Sequence, residues 1–282
     1  MILTKEQLTY FDVFGFLKFP GLLDGEIEKI SEAFEEVWRN AGGGHAGRSH
    51  DHQRRSALVP FIDSNEYLCG LLDDPGIEGI ATSLLGEDFN YSGSDGNYYV
   101  GDTNWHSDGY VDRKYLSVKM AFYLDPGTAD TGSLRVVPGS HKYGDRFGND
   151  LHEAMGKSTE NRTEELWGLQ GADVPAVPLE TVPGDLLMFN HKIKHASFGG
   201  STSRRMFTIN MEQRYEEEDL PELRDAIASN SRFWLERNYG DLMVKTASPS
   251  RMVHLEQRMA NDGHLAELSR KAREEMAEPS RG

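Results

Sequence analysis

Between Phe89 and Gln213 the chain is cut into short runs rich in β-branched and aromatic residues, and this segmentation limits the fold more than any other feature. The runs are Asn90–Val100, Trp105–Asp108, Leu116–Leu124, Ser133–Val137, Asp185–Phe189 and Arg204–Gln213. Asp125-Pro126-Gly127 and Pro138-Gly139-Ser140 punctuate them. Such triplets make turns because proline presets φ and glycine reaches conformations closed to other residues. Short strands between turns predict packed sheets, so the expected fold is a β-sandwich or double-sheet barrel, mainly β with flanking α.

Helical patterns flank these runs. Thr4 and Gln7 fit a capping box, with Leu8, Phe11 and Phe14 following at helical spacing. Phe16 to Phe19 reads as a short extended run ended by Pro20. A second helix is expected to start near Asp24, with Ile27, Ile30, Phe34, Val37 and Trp38 on one face, and to stop at Gly42-Gly43-Gly44. Asp74-Pro75 opens a third, carrying Ile77, Ile80, Ala81 and Leu84 and closed by Gly86. The polar segment 142–170 reads as helical and as covering one end of the sheets. The tail from Pro221 reads as helical, with a break near Ser248-Pro249. The expected organisation is one domain over 1–282: a helical part (1–88), a β core (89–215) containing the 142–170 insert, and a helical extension (216–282).

Composition narrows the class. A chain of 282 residues can bury one sizeable core, and 38% hydrophobic with 27% charged residues is ordinary for a soluble globular protein. No apolar run approaches the roughly 18 residues of a membrane span, and no basic segment leads into an apolar stretch at the N-terminus. The single cysteine, Cys69, excludes an intrachain disulfide and fits a reducing cytoplasm; its expected role is a buried small hydrophobe. A net charge of −16 argues against nucleic acid or an anionic membrane as partner and leaves a small molecule. The acidic clusters at 153–165 and 216–219 read as solvated helix faces.

The strongest local signal is His106-Ser107-Asp108 within Trp105–Asp108. Residues i and i+2 of a strand share a face, so this pair can share a metal. His195, between two of the β runs, could complete the set from across the sheets. Two imidazoles and one carboxylate leave coordination positions open, as oxygen-activating iron(II) requires. A zinc hydrolase could use similar ligands, although neither an HExxH helix nor a cysteine ligand set is present. His191 is the second choice for the third ligand. His141 is expected to cap a loop. Past His195, Arg204 and Arg205 open an apolar stretch continued by Met206, Phe207 and Ile209. One guanidinium pointing inward would clamp a carboxylate, and strand alternation admits only one of the two.

Four motifs in order resemble the phytanoyl-CoA dioxygenase superfamily, which includes the ectoine hydroxylases. They are His106-Ser107-Asp108, the run Thr131 to His141 (Thr-Gly-Ser-Leu-Arg-Val-Val-Pro-Gly-Ser-His), Pro183-Gly184-Asp185-Leu186-Leu187-Met188-Phe189, and His195 followed by Ser203-Arg204-Arg205-Met206. The resemblance covers roughly residues 5 to 215. It implies a double-stranded β-helix, or jelly roll, holding Fe(II) at His106, Asp108 and His195. Arg204 would bind the distal carboxylate of the cosubstrate 2-oxoglutarate, with Asn97 and Ser197 as further cosubstrate contacts. Many relatives have Lys-Pro-Gly where this chain has Tyr99-Val100-Gly101. The implied activity is a dioxygenase that hydroxylates an unactivated C–H using O2 and releases succinate and CO2. Asp108 favours this over halogenation, which needs a small residue there. The alternatives are a metal-dependent hydrolase on a cupin-like barrel and a non-catalytic jelly-roll binding module.

For the substrate, the loop from Gly44 to Arg55 holds three Arg and three His against one Asp. Arg48, Arg54 and Arg55 there suit a small polar molecule with an anionic group. The competing reading is a surface loop that neutralises nearby acidic helices.

Overall fold

A computed structural model describes residues 1–109, 112–144, 146–156 and 161–282. In chain order the helices are α1 (Lys5–Phe14), α2 (Ile27–Asn40), α3 (Glu66–Cys69), α4 (Pro75–Leu85), α5 (Arg146–Met155), α6 (Thr163–Trp167), α7 (Leu220–Ala228), α8 (Asp241–Lys245), α9 (Pro249–Met259) and α10 (Leu265–Glu275). The strands are β1 (Phe16–Phe19), β2 (Ser56–Leu58), β3 (Asn90–Tyr99), β4 (Thr103–His106), β5 (Ser117–Tyr123), β6 (Leu134–Val136), β7 (Val177–Leu179), β8 (Leu186–Asn190), β9 (His195–Ser197) and β10 (Arg204–Glu212). No helix among the described residues is long and apolar enough to cross a membrane. The architecture is mainly β, two antiparallel sheets with flanking helices, as the run pattern predicts.

The chain divides into two compact units, one made of Met1–Leu3, Glu28–Tyr98 and Phe207–Gly282, the other of Thr4–Ile27 and Tyr99–Met206. In the second unit β8 pairs antiparallel with β1 on one side and β5 on the other. The Leu124 N–H donates to Arg205 O at 3.0 Å and ties the start of β10 to β5. The other sheet of this unit runs β4-β9-β6-β7. Between the sheets lies an apolar core that includes Phe16, Ala121, Tyr123, Leu134, Val136, Leu187, Phe189 and Met206, all buried. On the outer face of β4 and β9, Trp105, Ala196 and Phe198 pack with Leu151, Ala154 and Met155 of α5. The 142–170 segment is helical at α5 and α6, but α5 covers a sheet face, because that face carries the large apolar side chains. Residues 145 and 157–160 of the segment, including part of the expected acidic cluster, lie outside the described residues.

The first unit is built around α2. Phe34 packs on Phe61 at 5.1 Å and Trp38 on Tyr98 at 4.4 Å between ring centroids. α2 starts at Ile27, later than expected, because residues 20–25 form turns. The C-terminal helices are built into this unit. Ser248 caps α9 and Pro249 opens it, which explains the predicted break. Arg258 of α9 is buried against Glu212 of β10, and His254 stacks on Phe89 at 3.7 Å. Two expected core positions differ. In α1 only Phe11 is buried, while Phe14 is exposed and packs on Tyr10. In α4 Leu85 is buried, continuing the Ile77–Ala81 row at i+4, and Leu84 is half-buried.

Candidate metal centre

The centre lies in the second unit, where β4 and β9 pair antiparallel with His106 directly opposite His195. β4 ends at His106, so Asp108 lies beyond the strand and pleat alternation does not orient it. A turn does. The N–H groups of Asp108 and Gly109 donate to His191 O at 2.9 and 2.8 Å, and the Ser107 hydroxyl donates to Lys192 O at 2.8 Å. These bonds fold the loop back over β9 and bring the carboxylate to the two imidazoles. The composition Ser107-Asp108-Gly109 is itself a turn signal.

The Nδ1 of His106 lies 2.8 Å from Asn104 O and that of His195 3.0 Å from Ile193 O. A carbonyl can only accept, so each Nδ1 carries the proton and each Nε2 keeps its lone pair, the form in which imidazole binds metal. His106 Nε2 lies 3.7 Å from Asp108 Oδ1, and His195 Nε2 lies 3.4 Å from Asp108 Oδ2. All three donors fall within 4.8 Å of one another. Ligands about 2.1 Å from one ion and at right angles stand about 3 Å apart, so this set fits a single first-row cation. Charge agrees. Burial pushes His195 down to about 3, keeping it neutral. Burial alone would raise the Asp108 carboxyl, but the Lys119 ammonium at 2.9 Å brings it well below the usual carboxylate range.

Arg204 opens β10 and is buried. Its Nη1 donates to Gly132 O and its Nη2 to the Ser197 hydroxyl at 3.0 Å, with the guanidinium carbon 5.3 Å from the Tyr99 ring centroid. Its Nε is buried with no hydrogen-bond partner. A buried cation with an unsatisfied Nε donor suits a carboxylate ligand. Gly132 has φ +88°, and a Cβ there would sit 1.8 Å from Arg204 Nη1, so the Thr131-Gly132-Ser133 turn is also the cradle of this arginine. Arg205 points the other way, its Nε and Nη2 donating to Asp125 at 3.0 and 2.6 Å.

His106, Asp108, His195, Ser197 and Arg204 are therefore gathered in one unit. Asn97, Arg48, Arg54 and Arg55 belong to the other. There the Arg55 Nε donates to Asn97 Oδ1 at 2.8 Å, and Arg55 pairs with Asp95 at 3.3 Å. Arg48 pairs with Glu278, and Arg54 lies 3.8 Å from the same carboxylate. His141 stands apart from the three donors, its Nε2 lying 3.0 Å from Asp12 O in the last turn of α1 and not on its own loop. Two lysines went unread in the sequence. Lys119 reaches Asp108, and Lys194, fully buried, meets Ser107 Oγ at 2.9 Å, His152 Nδ1 at 3.2 Å and Tyr143 Oη at 3.3 Å. Lys119 had one signal, its place inside the otherwise apolar run Val118–Leu124, and Lys194 had none.

The phytanoyl-CoA dioxygenase (PhyH) family model matches residues 11–207. The chain belongs to the phytanoyl-CoA dioxygenase family. Among curated relatives it is 29% identical over 108 residues to dioxygenase lolE1 of Epichloe uncinata, a match covering 38% of this chain and only 37% of that protein. It is 26% identical over 219 residues to the 2-aminoethylphosphonate dioxygenase of Uncultured bacterium HF130_AEPn_1, covering 71% of this chain and 78% of that one. The fold matches the 2-oxoglutarate-dependent carbocyclase SnoK from nogalamycin biosynthesis (TM-score 0.59, 20% identity, 75% of this chain and 84% of that one). It also matches EctD from S. alaskensis in its apoform (TM-score 0.56, 18% identity, 76% of this chain and 80% of that one). The phytanoyl-CoA dioxygenase family is a family of enzymes using Fe(II), 2-oxoglutarate and O2, and the jelly-roll expectation holds.

Proposed function

We propose that this family member holds iron(II) at His106, Asp108 and His195, seats the distal carboxylate of 2-oxoglutarate on Arg204 and Ser197, and hydroxylates a small polar molecule bearing an anionic group. The observation that carries the reading is the pairing of two features in one unit: a three-donor set within 4.8 Å, and a buried arginine with an unsatisfied Nε. When bound, iron would activate O2, which supplies the oxidising equivalents, while 2-oxoglutarate supplies two electrons and is oxidised to succinate and CO2. The chain's own part is ligation, orientation and exclusion of water. The β4–β9 ladder fixes the spacing of the imidazoles, and the carbonyls of Asn104 and Ile193 fix their tautomer. Phe189, a buried core residue whose ring centroid lies 5.0 Å from that of His195, shields that imidazole from water.

The anionic class is supported by the relative named for 2-aminoethylphosphonate. The test is a panel of small phosphonates, phosphates and carboxylates mixed anaerobically with protein, iron(II) and 2-oxoglutarate, then scored for succinate after oxygen is admitted. Succinate formation that no anionic compound stimulates, but a neutral one does, overturns the substrate class. Absence of iron binding overturns the centre.

A further inference from the structure

Strand β5 sends Lys119, Ala121 and Tyr123 to one face, and the latter two lie in the core between the sheets. Lys119 therefore points inward as well, one pleat nearer the ligands. Its register partner is Phe189, whose ring centroid lies 5.0 Å from that of His195. The Lys119 side chain is only 18% exposed, and its Nζ stands 2.9 Å from Asp108 Oδ2, the oxygen that also lies 3.4 Å from His195 Nε2.

We propose that Lys119 is a positioning residue that reserves one oxygen of Asp108 and sets how tightly the centre holds a divalent cation. The inference rests on the ligand assignment made above. With Oδ2 on the ammonium, Oδ1, 3.7 Å from His106 Nε2, is the oxygen left for the ion. Asp108 then binds through one oxygen, and the positions that a bidentate carboxylate would take remain open. The ammonium also stands close to the seat of the ion, where like charge opposes metal binding. The carboxylates of 2-oxoglutarate offset that repulsion, so metal and cosubstrate strengthen one another's binding through Lys119, and linkage makes the effect reciprocal.

A lysine serving only the fold predicts the opposite sign: without it Asp108 would lose its orientation and the metal would bind more weakly. The experiment is calorimetric titration of the purified protein with nickel(II), with and without 2-oxoglutarate, alongside thermal melts. The variants are Lys119→Met, Lys119→Arg and Lys119→Gln. The expected result is that Lys119→Met binds nickel alone about ten-fold more tightly than wild type, the scale of one like charge a few ångströms away under partial screening. It should also gain less from 2-oxoglutarate. Lys119→Arg, which keeps the charge, should match wild type. Lys119→Gln removes the charge but keeps a donor for Oδ2, and it decides the matter if the methionine variant does not fold. Nickel binding by the neutral variants that equals or falls below wild type overturns the proposal while leaving the ligand set intact. If wild type binds no nickel, the ligand set fails and this inference fails with it.

Discussion

Replacing Arg204 by methionine removes the cation while keeping most of the side-chain volume. In the folded protein its guanidinium is already fixed by Gly132 O and the Ser197 hydroxyl and lies against the Tyr99 ring, so little further ordering is needed to receive a carboxylate. Two charge-assisted hydrogen bonds to a buried carboxylate are worth about 1.5–3 kcal/mol each. Some of that returns as water enters the vacated space, leaving about 3–4 kcal/mol, or roughly 10²-fold to 10³-fold in affinity. The assay is titration of 2-oxoglutarate into nickel-loaded protein, repeated with a 2-oxo acid that lacks the distal carboxylate. Wild type should prefer 2-oxoglutarate by that factor, and Arg204→Met should lose the preference. Arg205→Ala should change either affinity by less than about three-fold, because its guanidinium is spent on Asp125. A loss of under three-fold in Arg204→Met, or a larger loss in Arg205→Ala, refutes the reasoning.

His106→Ala and Asp108→Ala should each abolish nickel binding by calorimetry. Their melting temperatures should stay near that of the metal-free parent, since neither side chain belongs to the apolar core; a retained stoichiometric site would count against the ligand set. Glu212→Ala leaves the buried Arg258 without its carboxylate and should lower unfolding free energy by about 3–5 kcal/mol in urea, a change under 1 kcal/mol being evidence against a buried pair. Burial raises the Asp63 carboxyl from 3.8 to about 6 in the folded state. The folded protein therefore holds its proton more tightly than the unfolded chain does. Stability from this group is full below pH 3.8 and is lost as pH rises through about 6. The loss is on the order of 3 kcal/mol. Asp63→Asn should flatten that part of the pH–stability curve, and an unchanged curve would assign the slope to other groups.

The β core could be read in advance because turn triplets and alternating runs report on local backbone, which sequence encodes directly. β2, β7 and β9 escaped notice, being too short at Ser56–Leu58, Val177–Leu179 and His195–Ser197 to show alternation. The interleaving of the two units was equally hidden. The chain enters the second at Thr4, leaves after Ile27 and returns at Tyr99, the last residue of β3. At the centre, the metal donors and Arg204 stood out because each sits in a motif with a chemical reason. The mechanism that aims Asp108 did not, since it depends on His191 O, a backbone group that any residue could supply. Lys119 was invisible for a related reason. A lysine in a strand ordinarily points to water, and only the register of β5 against β8 turns this one inward.

The pairing of His106 with His195 across one ladder has a further consequence for how such a protein can change. Their separation is inherited from the distance between neighbouring strands, about 4.8 Å, and owes nothing to the loops around them. Loops such as 44–55 or 142–170 can lengthen, shorten or be exchanged, and the imidazoles keep their places. One kind of edit cannot be absorbed. A residue inserted between His195 and Ser197 that no bulge takes up, as the irregularity between Thr103 and His106 does in β4, slips the register and turns side chains to the opposite face. Natural or designed diversification of this scaffold should therefore spare β4, β9 and the turns at 107–109 and 191–192 that aim Asp108, and place its insertions in loops away from them.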